Sequence, residues 1–296
     1  MPGKIVYVAP VANTMDFLPY FLPYWYEIAD RLILTEGVIR FCHDKGDEAG
    51  LSTDGTTEFI WNFPDPKNKI IYIPVGRCDL MCDLRNPYLE LTEPGDILLQ
   101  FDMDEIMSVR DVEASVQFLR SHPDCNVVLC DQLMFWGDFR HHLAGLAPVW
   151  RICRREADWR YAQIEYSDGK GLGDDLAGTT IVPGDLLPRP QMLHFGWVRK
   201  PRRLFEKVLV TYRFLGELKA TSHPHLAAMS EADRKWDILF NHPCFCEQAV
   251  PQDWQIVEYA GELPEPVRQH PYYWHPEVLR DDAELRKLEA EIEAWI

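Results

Sequence analysis

The sequence predicts an α/β protein built on an open, mostly parallel sheet flanked by helices, with helical additions toward its C-terminal end. Three observations point there. Short apolar runs rich in β-branched and aromatic residues alternate with amphipathic stretches through the first half of the chain. Clusters of Gly, Pro, Asp and Ser punctuate the alternation. One apolar run, Ile97-Leu98-Leu99-Gln100-Phe101, ends directly on acid, as strands that lead into a ligand site of such a sheet often do.

Taken in order, Lys4 to Val8 reads as a first buried strand, ended by Pro10. Asp16 to Asp30 reads as a helix despite Pro19 and Pro23. Arg31–Leu34 and Ile70–Ile73 are the next strands, separated by the turn-rich segment Asp44 to Thr57 with Gly46, Gly50 and Gly55. Cys78 to Leu91 is helix-like, Glu93-Pro94-Gly95-Asp96 breaks the chain, and the acid-ended strand follows. A helix over Val109–His122 and a strand over Asn126–Leu129 continue the alternation. Regularity falls after Trp150, and Tyr166 to Gly184 reads as a long Gly- and Asp-rich functional loop. Arg202–Leu218 and Glu231–Asn241 are expected helices; Pro243 to Pro276 is expected to wrap over the body. The last helix carries Leu285, Leu288, Ile292 and Trp295 on one face. The organisation expected is one α/β domain over residues 1–200 with a helical extension over residues 201–296.

The 296 residues suffice for a sizeable core, and 47% hydrophobic with 26% charged residues is an ordinary globular balance. Lys and Arg total 30 against 47 Asp and Glu, a formal charge of -17. Long-range electrostatics therefore oppose nucleic acid as a partner, and any such contact needs a local basic patch. Lys4 to Val8 is too short for a signal-peptide core, and no stretch is apolar for long enough to span a bilayer, so a cytoplasmic protein without a transmembrane segment is expected. The 8 cysteines show no metal-ligand spacing, and reduced thiols, mostly in the core, are expected.

The chemistry centres on Asp102-Met103-Asp104-Glu105. Two aspartates at a strand end can reach one cation from a turn, and hard oxygen ligands suit Mg2+ or Mn2+. Such an ion would hold a diphosphate and act as a Lewis acid. A short acidic cluster is equally often a solvated turn ahead of the helix at Val109. Its context shifts the balance: Arg85-Asn86 lies on the preceding helix, and Gly95-Asp96 opens the strand. Pro10-Val11-Ala12-Asn13 follows the first strand, Ser52-Thr53-Asp54-Gly55-Thr56 the second, and Leu193-His194-Phe195-Gly196-Trp197 comes well downstream.

In the order of these motifs the first two-thirds of the chain resembles the GT-A glycosyltransferases, whose fold is Rossmann-like, and the family-2-like group above all. His194 to Lys207 is more loosely similar to the N-acetylglucosaminyltransferases that bisect N-glycans. The resemblance implies a metal-dependent transfer, inverting, of a sugar from a nucleotide-sugar donor, a UDP-sugar, to a hydroxyl of a glycan or other acceptor. It implies Mn2+ or Mg2+ on Asp102 and Asp104 with His194, and a nucleotide base bordered by Pro10, Val11 and Asn13. The family's acid sits close to the serine of the Ser-Thr-Asp-Gly-Thr stretch, whereas here Asp44 and Asp47 stand several residues before it; Asp44 takes that place. Arg85 would face the donor. Arg199 and Lys207, within the densest basic cluster, would hold the leaving diphosphate. Asp175 would be the general base, with Asp174 supporting it. Phe135, Trp136, Trp150 and Trp159 could stack an acceptor sugar or pack in the core.

Rival readings share the acidic turn. A phosphatase of the haloacid-dehalogenase kind fits poorly, because Glu105 intrudes and Ile106 stands away from the expected Thr or Val position. A metal-dependent nuclease is opposed by the charge. A non-catalytic relic that only binds nucleotide or glycan, and a transferase acting on a DNA base through the basic cluster, stay open.

Overall fold

The computed structural model describes residues 3–144, 148–164, 173–177, 189–218, 228–242 and 255–294. The chain forms two compact units. The first comprises Met1–Leu133, Leu146–His194 and Pro264–Pro266, and the second Met134–Gly145, Phe195–Leu263 and Val267–Ile296.

The first unit carries the predicted sheet. Its strands are β1 (Ile5–Val11), β2 (Arg31–Ile39), β3 (Ile70–Cys78), β4 (Ile97–Leu99), β8 (Val149–Arg154) and the first part of β6 (Val127–Trp136). They lie in the order β6-β8-β4-β1-β2-β3. β1 is parallel to β2 and β4, and β2 to β3. β8 is antiparallel to both β4 and β6, so the sheet is mostly parallel. Helices α1 (Leu18–Ile28), α2 (Thr56–Asn62), α3 (Met81–Leu89) and α4 (Val109–Ser121) link the strands.

Strand alternation sets the two layers of core. Val6 and Val8 face a cluster with Ile33, Leu98, Val127 and Cys153, covered by Tyr88 and Leu89 of α3. Tyr7, between them in sequence, faces the other way and stacks on Trp25 of α1 at 5.0 Å, and Trp25 stacks in turn on Phe101 at 4.7 Å. Pro19 is tolerated because it occupies the first turn of α1, where an N–H has no intrahelical partner; Pro23 lies inside the helix.

Several boundaries differ from the sequence reading. β2 runs on to Ile39 rather than ending at Leu34, because Thr35 and Glu36 are buried within it. α2 begins inside the segment read as turn, on a Gly55 with φ of +95°. Cys78 ends a strand, and the helix after it starts at Met81. The region after Trp150 is more regular than expected: β9 (Arg160–Ile164) pairs antiparallel with β10 (Gly173–Ala177). The expected functional loop therefore contains one strand of a two-stranded ribbon, β10, and its residues 166–172 and 178–184 lie outside the described residues.

The strand β5 (Glu105–Met107) pairs antiparallel with the first residues of β11 (Gln191–Trp197), with Met192 opposite Met107 and His194 opposite Glu105. β6 and β11 each begin in the first unit and end in the second. There, Met134 and Phe135 pair with β7 (His141–Leu143), which pairs with β12 (Ile256–Glu258). The helices are α5 (Pro201–Leu218), α6 (Glu231–Asn241), α7 (Glu265–Gln269), α8 (Pro271–Trp274) and α9 (Asp282–Glu293); α7 begins within the short first-unit segment. Phe205, Val208, Leu209, Ile238, Leu288 and Ile292 form the second unit's helical core. Leu288 and Ile292 confirm the predicted apolar face; Trp295 lies outside the described residues. Among the described residues no helix is long and apolar enough to cross a membrane.

Candidate functional site

The acidic turn follows β4, as the sequence implies. Phe101 is fully buried, and its carbonyl accepts a hydrogen bond from the Tyr7 hydroxyl at 2.9 Å, which fixes the strand's exit. The turn closes through the Glu105 N–H donating to the Asp102 carbonyl at 2.9 Å. Met103 points into the core, whereas Asp102 keeps 41% side-chain exposure and Asp104 keeps 11%.

Glu105 anchors this turn. Its side chain is 1% exposed and takes both Nε and Nη2 of Arg151 at 2.7 Å, while its Oε2 also accepts the Asp102 N–H at 3.1 Å. A bidentate guanidinium–carboxylate pair is the geometry in which a buried carboxylate is best satisfied. Burial lowers the Arg151 guanidinium, but Glu105 outweighs it and raises the group overall. Desolvation, then repulsion from Glu105, raises the Asp102 carboxyl above its ordinary value, while Arg85 and Arg151 pull it down.

The register of β5 with β11 brings His194 to Asp104. The His194 Nε2 lies 3.6 Å from Asp104 Oδ1, and its Nδ1 lies 2.9 Å from the Gln132 Nε2 of β6. The Gln132 amide engages Nδ1, so Nε2 is the ring nitrogen that faces the carboxylate. Arg85 on α3 approaches Asp102 Oδ1 at 3.9 Å and lies over the Tyr161 ring at 5.6 Å. Asp102, Asp104, His194 and Arg85 are thus gathered around one strand end. Among the described residues no group of three or more His, Cys, Asp or Glu side chains converges to hold a metal ion. The carboxylate–imidazole pair of Asp104 and His194 does fit two neighbouring positions on a cation such as Mn2+, which accepts oxygen and imidazole ligands.

The loop after β1 is laced to the Ser-Thr-Asp-Gly-Thr stretch. Asn13 adopts φ of +51°; its N–H donates to Ser52 Oγ at 2.9 Å, its Nδ2 to the Lys45 carbonyl at 2.8 Å, and its Oδ1 accepts from the Thr53 N–H at 2.8 Å. Asp54 accepts from the Met15 N–H and the Thr56 hydroxyl. Val11 is 1% exposed and packs in the core; Pro10 is half-buried at the end of the strand. These residues hold two loops together beside the carboxyl ends of β1 and β2.

The acid that meets this stretch is Glu36, which the sequence reading missed. Fully buried on β2, it accepts the Ser52 N–H at 2.7 Å, the Thr57 hydroxyl at 2.8 Å and the Tyr72 hydroxyl at 2.6 Å. Asp44 lies instead on the 3-10 turn Arg40–Lys45, half-exposed and 3.8 Å from Lys45. An acid inside an otherwise apolar run, Leu32 to Val38, was the available signal, since a buried carboxylate must be given donors. Arg151 and Gln132 carried no such signal.

The other sequence candidates divide. The backbones of Asp174 and Asp175 are adjacent positions of β10, opposite Gln163 and Ala162; their side chains lie outside the described residues. Arg199 and Lys207 belong to the second unit, where Arg199 Nε donates to the Gly196 carbonyl at 3.2 Å and Lys207 lies over the Trp197 ring at 5.5 Å. Phe135 and Trp159 are fully buried, Trp150 packs against the core, and Trp136 meets Trp197 at 5.1 Å. Packing, not an open platform, is what these aromatics show.

Fold and site together define an α/β protein with an anchored acidic turn at the carboxyl end of a central parallel strand. No protein-family model and no curated protein matches the chain. Among solved structures it is similar to S. aureus TarS, at 13% identity over 97% of this chain and 55% of that one, with a TM-score of 0.41. The chain thus spans about half the length of that protein. A shorter TarS structure, residues 1-349, matches at 14% identity over 99% of this chain and 92% of that one, TM-score 0.40. The 4-diphosphocytidyl-2C-methyl-D-erythritolsynthase of Anaerococcus prevotii DSM 20548 matches at 12% identity over 76% and 81%, TM-score 0.30.

Proposed function

We propose that the chain is a glycosyltransferase that moves a sugar from a nucleotide-sugar donor to an acceptor hydroxyl with the help of a divalent cation. The observation that carries this reading is the acidic turn, in which Asp104 is directed at His194 across 3.6 Å and Glu105–Arg151 fixes the backbone between the two aspartates. Asp104 and His194 would hold the cation with Asp102 alongside. The bound ion would supply Lewis-acid stabilisation of the donor diphosphate.

In this reading Arg85 steers the donor diphosphate toward the turn. The loops tied by Asn13, Asp54 and Glu36 shape the nucleotide side of the site, with Pro10 and Val11 at its border. Asp175, supported by Asp174, removes the acceptor proton in an inverting transfer. A general base is worth roughly two to four powers of ten in turnover.

A screen of nucleotide sugars with Mn2+ or Mg2+, reading nucleotide release and thermal shift, tests the function. One donor should stabilise the protein and release its nucleotide, and Asp102→Ala and Asp104→Ala should each abolish release with the fold intact. Release unaffected by both replacements rejects the assignment. An inverted anomeric product lost with Asp175→Asn supports the base, and a retained configuration removes it.

A further inference from the structure

Gln132 stands beside Asp131 in β6, a strand that is otherwise apolar, and it is half-buried. An amide drawn out of water must be given a hydrogen-bond partner. Here the partner is a ring nitrogen, with Gln132 Nε2 lying 2.9 Å from His194 Nδ1. β11 pairs with both β5 and β6, and Asp104 stands directly before β5. An amide, an imidazole and a carboxylate therefore follow one another across three neighbouring strands. All three residues belong to the first unit.

The two nitrogens of the imidazole are held differently. At 3.6 Å Asp104 Oδ1 is beyond hydrogen-bond reach of Nε2, whereas the amide is in full contact with Nδ1. The His194 side chain is 15% exposed and that of Asp104 11%, so little water competes for either. A neutral imidazole gives its Nε2 lone pair to a cation only with its proton on Nδ1, and that N–H then needs an acceptor. Gln132 can supply one. Its amide nitrogen donates to an unprotonated Nδ1, and a half-turn of the terminal amide puts Oε1 in the same place to accept from a protonated one. A carboxylate there would serve only the second form, and an aliphatic side chain would serve neither.

We propose that Gln132 is the positioning residue of the cation site. It fixes the ring so that Nε2 faces Asp104, and its amide oxygen accepts the Nδ1 proton when Nε2 serves as a ligand. Partners of this kind orient a ligating histidine and raise its basicity. The inference rests on the metal-assisted reading of the acidic turn and adds to it a residue that acts only through His194.

Mn2+ binding to the full chain in the presence of UDP, read from the electron paramagnetic resonance signal of the free ion, tests this without turnover. Gln132→Leu should weaken Mn2+ binding about tenfold or more, the usual cost of removing the outer partner of a ligating histidine. Gln132→Glu keeps an acceptor at Nδ1 and should recover most of that loss. A double-mutant cycle decides whether the effect runs through the ring. His194→Ala should weaken binding by itself, and adding Gln132→Leu to it should cost no further affinity. Wild-type affinity in Gln132→Leu overturns the inference, and so does an equal loss from Gln132→Leu with and without His194. In the first case a weakened His194→Ala leaves the metal-assisted reading standing and removes only the role of Gln132. Wild type that binds no Mn2+ removes that reading, and the inference falls with it. Should Gln132→Leu fail to fold, Gln132→Asn, which withdraws the amide by one methylene, must weaken binding while Gln132→Glu holds it; equal affinity in both overturns the assignment.

Discussion

Replacing Arg151 by Met strips Glu105 of its bidentate partner while leaving an unbranched side chain along the arginine stem. Glu105 is 1% exposed, so the carboxylate left behind has almost no water to turn to. Breaking one side of a buried ion pair costs about 3–5 kcal/mol. Glu105 would keep the Asp102 N–H at 3.1 Å, and Arg151 is itself 22% exposed, so the loss should fall near ~3 kcal/mol, the lower end of that range. Denaturant unfolding of the full chain measures it as a lowered transition midpoint at unchanged slope. The double variant Glu105→Gln with Arg151→Met removes the stranded charge and should recover all but about 1 kcal/mol. A loss below about 1 kcal/mol in the single variant, or a double variant no better than the single, would refute the reasoning.

Three further outcomes follow from the same geometry. Glu36→Gln places an amide against three donors and should cost about 2–3 kcal/mol, read from the same unfolding curve; an unchanged midpoint removes the network from the fold's support. Gly50→Ala should cost about 1–3 kcal/mol, because φ there is +84° and an added Cβ would stand 2.4 Å from the Arg77 nitrogen; wild-type stability in that variant counters the turn's role. His242, whose imidazole burial pushes down to about 4 against a weaker opposing effect of Asp237, stays neutral in the fold where the unfolded chain already takes a proton. Stability is therefore complete above about pH 6.5 and falls as pH drops toward about 4, with no further contribution below. Solvent screening of this half-buried ring keeps the loss under the roughly 3 kcal/mol of the full shift. His242→Gln should flatten that part of the pH–stability curve, and an unchanged slope would exclude the histidine.

The strands of the central sheet were legible because their burial on both faces writes continuous apolar runs, as in Lys4–Val8 and Ile97–Phe101. The position of Asp102 and Asp104 was legible for the same reason, since the acid directly follows such a run. Long-range pairing was not. Nothing local marks Arg151 as the partner of Glu105, because the bond depends on β8 crossing back beside β4. Glu36 was hidden by an early end assigned to β2, and the sequence distance from Glu36 to Ser52 is bridged only by the folded loop. β10 fell inside the segment read as loop because its glycine and adjacent aspartates outweigh its few β-formers, while pairing with β9 decides the structure. The Asp104–His194 approach needed the register of β5 against β11, which no spacing in the sequence discloses.

The grip of the acidic turn on a diphosphate through a cation is tested most directly by calorimetry of UDP with the full chain. Wild type and Asp104→Asn are each titrated in Mn2+ and in chelator. Wild type should bind at least tenfold more tightly with Mn2+, and Asp104→Asn should lose that gain while keeping the chelator-state affinity. Equal affinity for wild type in Mn2+ and in chelator would contradict a metal-bridged diphosphate at Asp102, Asp104 and His194.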